Sequence, residues 1–142
     1  MTVRQLLSRK GTSVMTIAPD ATVFQALTEM AEAGIGALVV MVGGELTGII
    51  SERDYARKVI LKGRLSRETT VNEIMTSPAI TVNPQQTLND CMEIMTNERV
   101  RHLPVVDGDE LAGIISIGDV VKAIISQQAF MIEQLESYID RR

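Results

Sequence analysis

Residues 48–54 read Gly-Ile-Ile-Ser-Glu-Arg-Asp, and residues 113–119 read Gly-Ile-Ile-Ser-Ile-Gly-Asp. The similarity extends outward, because residues 16–60 moved forward by 65 positions align without a gap on residues 81–125, with 15 identities in 45 pairs. Such an internal repeat indicates two copies of one supersecondary unit that bury their apolar faces together. We therefore predict repeats at 1–65 and 66–126, a C-terminal extension at 127–142, and a pocket at the seam between the repeats.

The composition of the chain indicates an ordinary globular protein. Its 142 residues, 45% hydrophobic and 23% charged, suit one compact domain. The net charge of −4 argues against general binding of nucleic acids, which requires clustered Lys and Arg. One cysteine cannot form an internal disulfide, and no apolar run approaches a membrane span or a signal-peptide core. We expect a soluble, cytoplasmic protein without nucleic-acid or membrane partners.

Each repeat is predicted to contain a short helix, a strand, a helix, a β-hairpin and a final helix. Capping residues, helical spacing and glycine pairs in turns support this order. In the first copy, strands are predicted at Val14–Ile17, Ala37–Val42 and Leu46–Ser51, with helices at 22–34 and from Ser51 to about Leu61. In the second copy, strands are predicted at Ala79–Val82, His102–Val106 and Leu111–Ser116, with helices at 71–75, 87–99 and from Ile117. The N-terminal segment echoes residues 71–75, so it is assigned to the first repeat.

The segment beyond Ser126 lies outside the repeat but keeps a helical pattern. Met131, Leu135 and Tyr138 lie on one face, with Ile132 and Ile139 beside them. An amphipathic helix must bury such a stripe, either against its own domain or against another chain. We favour a homodimer contact, since the two repeats already cover each other.

The doubled motif is the strongest candidate for a ligand site. A glycine inside a strand often marks the close approach of another backbone or of a ligand. The hydroxyl of Ser51 or Ser116 and the first N–H groups of the following helix can bind an anion. The carboxylates of Asp54 and Asp119 can each accept two hydrogen bonds, as a pair of ribose hydroxyls would offer, and Arg53 can pair with a phosphate.

A structural interpretation of the same motif stays open. Ser-x-x-Asp is also typical of a capping box, which stabilises the start of a helix without any ligand. Two copies at corresponding positions, each after Gly-Ile-Ile, favour a site. Cys91 lies on an apolar helix stripe and is interpreted as a core residue. The basic stretch is interpreted as a solvated helix face whose first member can bind phosphate; it comprises Arg53, Arg57, Lys58, Lys62, Arg64 and Arg67.

With Thr16-x-x-Pro19 and the hairpins, the doubled motif resembles a pair of cystathionine β-synthase (CBS) domains, also called a Bateman module. The resemblance covers residues 3–125 and is closest to stand-alone CBS-pair proteins of bacteria and single-pair proteins of plants. It implies a mixed α/β fold of two β-α-β-β-α repeats packed about a pseudo-twofold axis, with two clefts between them. It also implies that the clefts bind AMP, or else ATP, ADP, NAD or S-adenosylmethionine, with no obligatory cofactor.

The resemblance also assigns roles to single residues. It implies that Asp54 and Asp119 contact ribose hydroxyls and that Ser51 and Ser116 lie near the phosphates. The short strand that lines the base falls on Val14–Ile17 in one copy and on Ala79–Val82 in the other, and Thr16, Ile17, Ile80 and Thr81 are its predicted ligand contacts. The basic pair Arg101 and His102, just before Pro104, is implied to reach ligand phosphates. The predicted ligand-binding set is Thr16, Ile17, Ser51, Arg53, Asp54, Ile80, Thr81, Arg101, His102, Pro104, Ser116 and Asp119.

The two copies differ around the shared motif, which predicts two unequal clefts. Arg53 of the first copy aligns with Gly118, and Arg101 and His102 of the second align with Gly36 and Ala37. We expect a regulatory module, a homodimer that passes its ligand occupancy to a separate protein. The alternative is a ligand-independent dimeric interaction protein. An enzyme is not expected, because no catalytic constellation, zinc spacing or phosphate loop is present in the sequence.

Overall fold

The two copies of the repeat fold with the same order of helices and strands. The computed structural model describes residues 1–140. The first half contains α1 (Val3–Lys10), β1 (Thr16–Ile17), α2 (Val23–Ala33), β2 (Ala37–Val42), β3 (Glu45–Ser51) and α3 (Glu52–Tyr55), which continues in a π-helical turn (Ala56–Ile60). The second contains α4 (Val71–Ile74), α5 (Leu88–Glu98), β4 (His102–Asp107), β5 (Glu110–Ser116) and α6 (Ile117–Asp140).

Local sequence explains where these elements begin and pair. Thr22 caps α2 by accepting the N–H of Gln25 at 3.1 Å, and Thr87 caps α5 by accepting the N–H of Asp90 at 3.1 Å. Gly34 ends α2 in the left-handed conformation, with φ 67°. Both predicted hairpins form: β2 pairs antiparallel with β3 and β4 with β5, while β1 lies parallel to β2.

The predicted strand at Ala79–Val82 is wrong, and its counterpart at Val14–Ile17 is shorter than predicted. In the first copy the N–H of Val39 donates to the Met15 carbonyl at 3.2 Å, which helps to hold β1 against β2. The residue aligned with Val39 is Pro104, which has no N–H to donate. Only an isolated bridge between Val82 and Val105 remains, so the second sheet has two strands.

The two halves exchange their first helices. Val3, Leu6 and Leu7 of α1 lie in one core with β4, β5, α5 and the start of α6. Val71 and Ile74 of α4 lie in the other core, with α2, β2 and β3. Cys91 is fully buried in the core that holds α1, and burial raises the pKa of its thiol to about 11. One core therefore joins α1 to residues 82–123, and the other is made from residues 17–74 between them.

Matching backbone hydrogen bonds fix this exchange and relate the halves as a pseudo-twofold pair. Val71 N–H donates to the Ala21 carbonyl and Asn72 N–H to the Pro19 carbonyl, both at 2.8 Å. Val3 and Arg4 donate in the same way to residues 86 and 84, which are residues 21 and 19 moved by 65. As a result, the Ser-x-x-Asp motif of each half lies against the first helix of the other half.

The helix α6 runs for 24 residues and continues past the repeat without a break. The predicted extension at 127–142 is helical through Asp140, and its last two residues lie outside the described part. Only Val120 and Ala123 of this helix are buried. Within residues 1–140 no helix is long and apolar enough to cross a membrane.

Candidate functional site

Two counterpart clefts lie where the motif of one half meets the other half, and a smaller cavity lined by Leu6, Lys10 and Asp119 adjoins the second. The first encloses about 280 Å³ and is lined by Ser51, Asp54, Ile80, Arg99, Arg101 and His102, among others. The second encloses about 480 Å³ and is lined by Lys10, Met15, Gly36, His102, Ser116 and Asp119, among others. Moving the first set by 65 positions pairs Ser51 with Ser116, Asp54 with Asp119, Ile80 with Met15 and Arg101 with Gly36. The clefts are therefore counterparts with different linings.

Both motifs have capping-box geometry. In the first, Ser51 Oγ accepts the Asp54 N–H at 3.2 Å, and Asp54 Oδ2 accepts the Ser51 N–H at 2.9 Å. In the second, Ser116 Oγ accepts the Asp119 N–H at 3.1 Å, and Asp119 Oδ2 accepts the Ser116 N–H at 2.9 Å. Because helix capping alone accounts for these bonds, a ligand role has to rest on the other residues that face each cleft.

A lysine contacts each motif carboxylate, and the two lysines come from different places. Lys58 Nζ lies 3.2 Å from Asp54 Oδ1 and also donates to the Ile74 carbonyl at 2.8 Å. Lys10 Nζ lies 2.6 Å from Asp119 Oδ2. Burial raises the pKa of Asp119, but the hydrogen bonds from Lys10 and from the Ser116 N–H outweigh it, and the net pKa is lowered. Both carboxylates therefore already hold a cation.

Different lengths of the exchanged helices explain why the two lysines differ. The helix α1 runs to Lys10 and carries that side chain into the second cleft. The equivalent helix α4 ends at Ile74, because Thr76 leaves the helix and pairs with Ile49 through bonds of 3.0 and 2.9 Å. Thr76 and Ile80 then line the first cleft, which leaves Lys58 of the π-helical turn to contact the carboxylate.

The glycine of the first motif marks a close approach of backbone, as its place in a strand predicts. A Cβ at Gly48 would lie 2.6 Å from the Thr76 carbonyl oxygen. At Gly113 the nearest atom would be Cδ2 of Leu7, at 2.8 Å. Gly48 therefore allows the lining segment that begins at Thr76 to pack directly on β3.

The first cleft is rich in cations. Arg53, Arg57, Lys58, Arg99 and Arg101 line it, against two carboxylates, Asp54 and Glu98. Arg53 Nη1 donates to the Arg99 carbonyl at 3.1 Å, which joins α3 of one half to the end of α5 of the other. The pKa of Arg53 is lowered, first by the charge of Arg57, then by desolvation and by the charge of Arg101. These guanidinium groups are close enough to repel one another.

His102 lines both clefts. Its imidazole faces Gly36, where an added Cβ would lie 3.4 Å from Cε1 and Nε2. The pKa of His102 is lowered, mainly by burial and next by the charge of Lys10. The imidazole is therefore neutral at pH 7 and offers hydrogen bonds, rather than charge, to both clefts.

The structure brings most of the predicted site residues together. Ser51, Arg53, Asp54, Ile80, Arg101 and His102 line the first cleft, and His102, Ser116 and Asp119 line the second. Thr16 and Ile17 instead line a shallow cavity beside Glu29. Thr81 is exposed, Pro104 is buried in β4, and neither lines either cleft.

Sequence reasoning missed several lining residues. Arg57 and Lys58 line the first cleft, a position that the interpretation of the basic stretch did not predict, although Arg57 is exposed as that interpretation expects. The contact of Lys10 with the second cleft could not be predicted, because nothing in the sequence places the N-terminal helix against the second motif. Arg99 had a signal: it aligns with Gly34, where a helix ends in the left-handed conformation. Within residues 1–140 no group of three or more His, Cys, Asp or Glu side chains could hold a metal ion.

Comparison with known proteins finds the same repeat. The family model for the CBS domain matches residues 3–61 and again residues 71–126. A CBS-domain protein from Burkholderia ambifaria MC40-6 is 48% identical, with a TM-score of 0.86 over 90% of this chain and 96% of that one. A CBS-domain containing protein from Agrobacterium tumefaciens is 42% identical, with a TM-score of 0.83 over 87% of this chain and 98% of that one.

A curated relative extends the comparison to plants. The mitochondrial protein CBSX3 of Arabidopsis thaliana is 40% identical over 97% of this chain and 71% of its own length. These matches confirm the predicted resemblance and the predicted mixed α/β fold of two repeats with a C-terminal helix.

Proposed function

The chain belongs to the CBS-domain family, and from that premise we propose that it is a regulatory module, not an enzyme. Its first cleft binds an adenine nucleotide, and its occupancy is passed to a separate protein. The observation that carries this proposal is the lining of the first cleft. The carboxylate of Asp54 and the cations Arg53 and Arg101 face one space. A nucleotide offers what each of them binds, since its ribose hydroxyls donate and its phosphates are anionic.

The choice of adenine rests on the family resemblance, whereas the anionic character of the ligand rests on the residues of this chain. AMP, ADP, ATP, NAD and S-adenosylmethionine all contain the adenosine group. Ile80 and Ile49 supply apolar surface in the same cleft. A flat base can pack against such surface while the ribose and phosphates meet the polar side chains.

Regulation would follow from the position of the cleft between the two halves. The bond from Arg53 to the Arg99 carbonyl crosses this seam. A phosphate that binds Arg53 competes with this bond, so ligand binding and the relative arrangement of the halves are linked. A ligand shifts such an equilibrium only by its difference in affinity for the two arrangements. The partner protein then reads the favoured arrangement.

A ligand-independent interaction protein is the second candidate. The observation in its favour is that both Ser-x-x-Asp motifs cap helices, with bonds between 2.9 and 3.2 Å. In that case the motifs stabilise the fold, and no nucleotide binds. The test below separates the two candidates.

We expect the purified protein to melt at a higher temperature in millimolar AMP, ADP, ATP or NAD. A ligand that binds only the folded state, at 100 times its dissociation constant, stabilises it by about 2.7 kcal/mol. Thermal denaturation measures the shift, calorimetry gives the number of sites, and GMP serves as a control for the base. An unchanged melting temperature with all four adenine nucleotides would contradict the proposal and favour the interaction protein.

We further propose that the protein is a homodimer joined through the exposed part of α6. Ile125, Gln128, Ile132, Leu135 and Ile139 follow one another at alternating intervals of three and four residues. Their four apolar side chains are between 56% and 64% exposed. Isoleucine at one core position of a heptad and leucine at the other favours a two-stranded coiled coil. A second copy of the same helix fits this pattern.

We expect Ile132→Glu to convert the dimer to a monomer of 15.6 kDa. The substitution places a charge in the seam of the coiled coil, where it has no partner. Light scattering at micromolar concentration measures the mass. Ser137→Glu adds the same charge on the opposite face and is expected to remain dimeric. A monomeric wild type, or a dimeric Ile132→Glu variant, would rule out this interface.

The cytoplasmic location stays a prediction that rests on the single cysteine.

A further inference from the structure

We propose that the first cleft selects a nucleotide with two or more phosphates, and that Arg57 and Arg99 determine this selectivity. This inference rests on the proposed nucleotide-binding function and names the chemical class of its ligand. Neither arginine belongs to the Ser-x-x-Asp motif or to the basic pair at the start of β4, so neither is needed to explain the binding of a monophosphate.

The charge of the lining is the first argument. Five cations and two carboxylates line the first cleft, an excess of three positive charges, in a chain whose net charge is −4. The second cleft has one lysine and one carboxylate, which contact each other. The two clefts therefore attract ligands of different charge, although their motifs are the same.

The excess charge of the first cleft is not neutralised by the protein itself. Among residues 1–140, its only ion pair joins Lys58 to Asp54. Arg53, Arg57, Arg99 and Arg101 have no carboxylate within ion-pair distance in that part of the chain. Four guanidinium groups around one space repel one another, and an anionic ligand relieves that repulsion. An anion of high charge relieves more of it than an anion of low charge.

The size of the excess indicates more than one phosphate. A phosphate monoester carries a charge of about −1.5 to −2 at pH 7. A monophosphate therefore leaves at least one of the three excess charges unmatched, and each further phosphate in the chain adds another negative charge. Guanidinium groups suit this role, because each can donate two parallel hydrogen bonds to phosphate oxygens.

The backbone of Arg99 supplies an independent argument. Arg99 ends α5 in the left-handed conformation with φ 55°, and it is the one non-glycine residue with positive φ among residues 1–140. Its counterpart Gly34 ends α2 with φ 67°. Glycine adopts this conformation without strain, and arginine does not. A glycine at this position would present the same carbonyl to Arg53. The strained conformation is therefore explained by the side chain of Arg99 and not by its backbone.

Calorimetric titration of the full chain with adenosine, AMP, ADP and ATP, without magnesium, tests the proposal. We expect ADP and ATP to bind at least tenfold more tightly than AMP. Arg99→Gly is expected to reduce the ADP affinity about tenfold and to lower the ADP preference over AMP, while its melting temperature stays the same or rises. A substitution at a residue with only a structural role would not lower the ADP affinity while leaving the melting temperature unchanged or raised.

Three further variants complete the experiment. Arg57→Gln should also lower the ADP preference, whereas Lys62→Gln, which removes the charge of an exposed lysine that does not line the cleft, should preserve it. Asp119→Asn should leave the preference intact, which assigns it to the first cleft. AMP binding as tightly as ADP to the wild type would overturn this inference and leave the proposed function standing. No binding of any adenine nucleotide would overturn both.

Discussion

Gly48→Ala is expected to lower the free energy of unfolding by about 3 kcal/mol. The new Cβ would lie 2.6 Å from the Thr76 carbonyl oxygen, closer than atoms of these types approach. That carbonyl accepts the Ile49 N–H at 3.0 Å, and the Thr76 N–H returns a bond of 2.9 Å to the Ile49 carbonyl. Relief of the clash therefore requires movement of hydrogen-bonded backbone, and no side-chain rotation can substitute for it.

Gly113→Ala is the matched control, because it changes the same position of the second motif. Its Cβ would meet Cδ2 of Leu7 at 2.8 Å, which is the end of a flexible side chain. Leu7 can adjust its rotamer, so we expect a loss of about 1 kcal/mol. Urea denaturation measures both losses from the midpoints, provided that the slopes are unchanged. Equal losses in the two variants would show that the approach of Thr76 is not rigid.

Asp54→Asn is expected to weaken adenine-nucleotide binding about 100-fold. Hydrogen bonds to a charged group contribute about 1.5 to 3 kcal/mol each, and a hundredfold loss corresponds to about 2.7 kcal/mol. The amide oxygen of the substituted side chain can still accept the Ser51 N–H that Asp54 Oδ2 accepts now, so most of the helix cap is retained. The substitution thus separates ligand binding from capping more cleanly than alanine does.

Two controls decide the interpretation of this variant. Asp119→Asn makes the same change in the second cleft and should leave binding in the first cleft unaffected. Thermal denaturation without ligand should show that Asp54→Asn remains folded, with a loss of stability of about 1 kcal/mol or less. If binding is unchanged while stability falls, Asp54 serves only as a cap, and the interaction-protein candidate is supported.

The sequence predicts much of this fold, because the repeat makes every local signal appear twice. Thr22 and Thr87 each predict a helix start, and both hairpins appear where apolar runs flank glycine or aspartate. The absence of a third strand from the second sheet could also have been predicted. Pro104 aligns with Val39, whose N–H is needed for pairing in the first sheet. Local sequence patterns are sufficient to predict an element when the residues that determine it are close together in the sequence.

The composition of the clefts was harder to predict, because it depends on how the halves pack. Lys10 contacts Asp119 across more than a hundred positions of the chain, and only the exchange of α1 brings them together. The paired lysine of the first cleft, Lys58, comes from a π-helical turn that the sequence predicted as an ordinary helix. Arg99 was predictable from the alignment of the copies, because a glycine occupies its place in the first.

The exchange of α1 and α4 has a consequence for how the protein is made. The apolar face of α1 packs against residues as far along the chain as Ala123. Until those residues have been synthesised, Val3, Leu6 and Leu7 have no core to enter. Contacts between such distant positions raise the contact order and slow folding. The core made by residues 17–74 can therefore form while α1 is still uncovered, and the core that holds α1 is completed only once Ala123 has emerged.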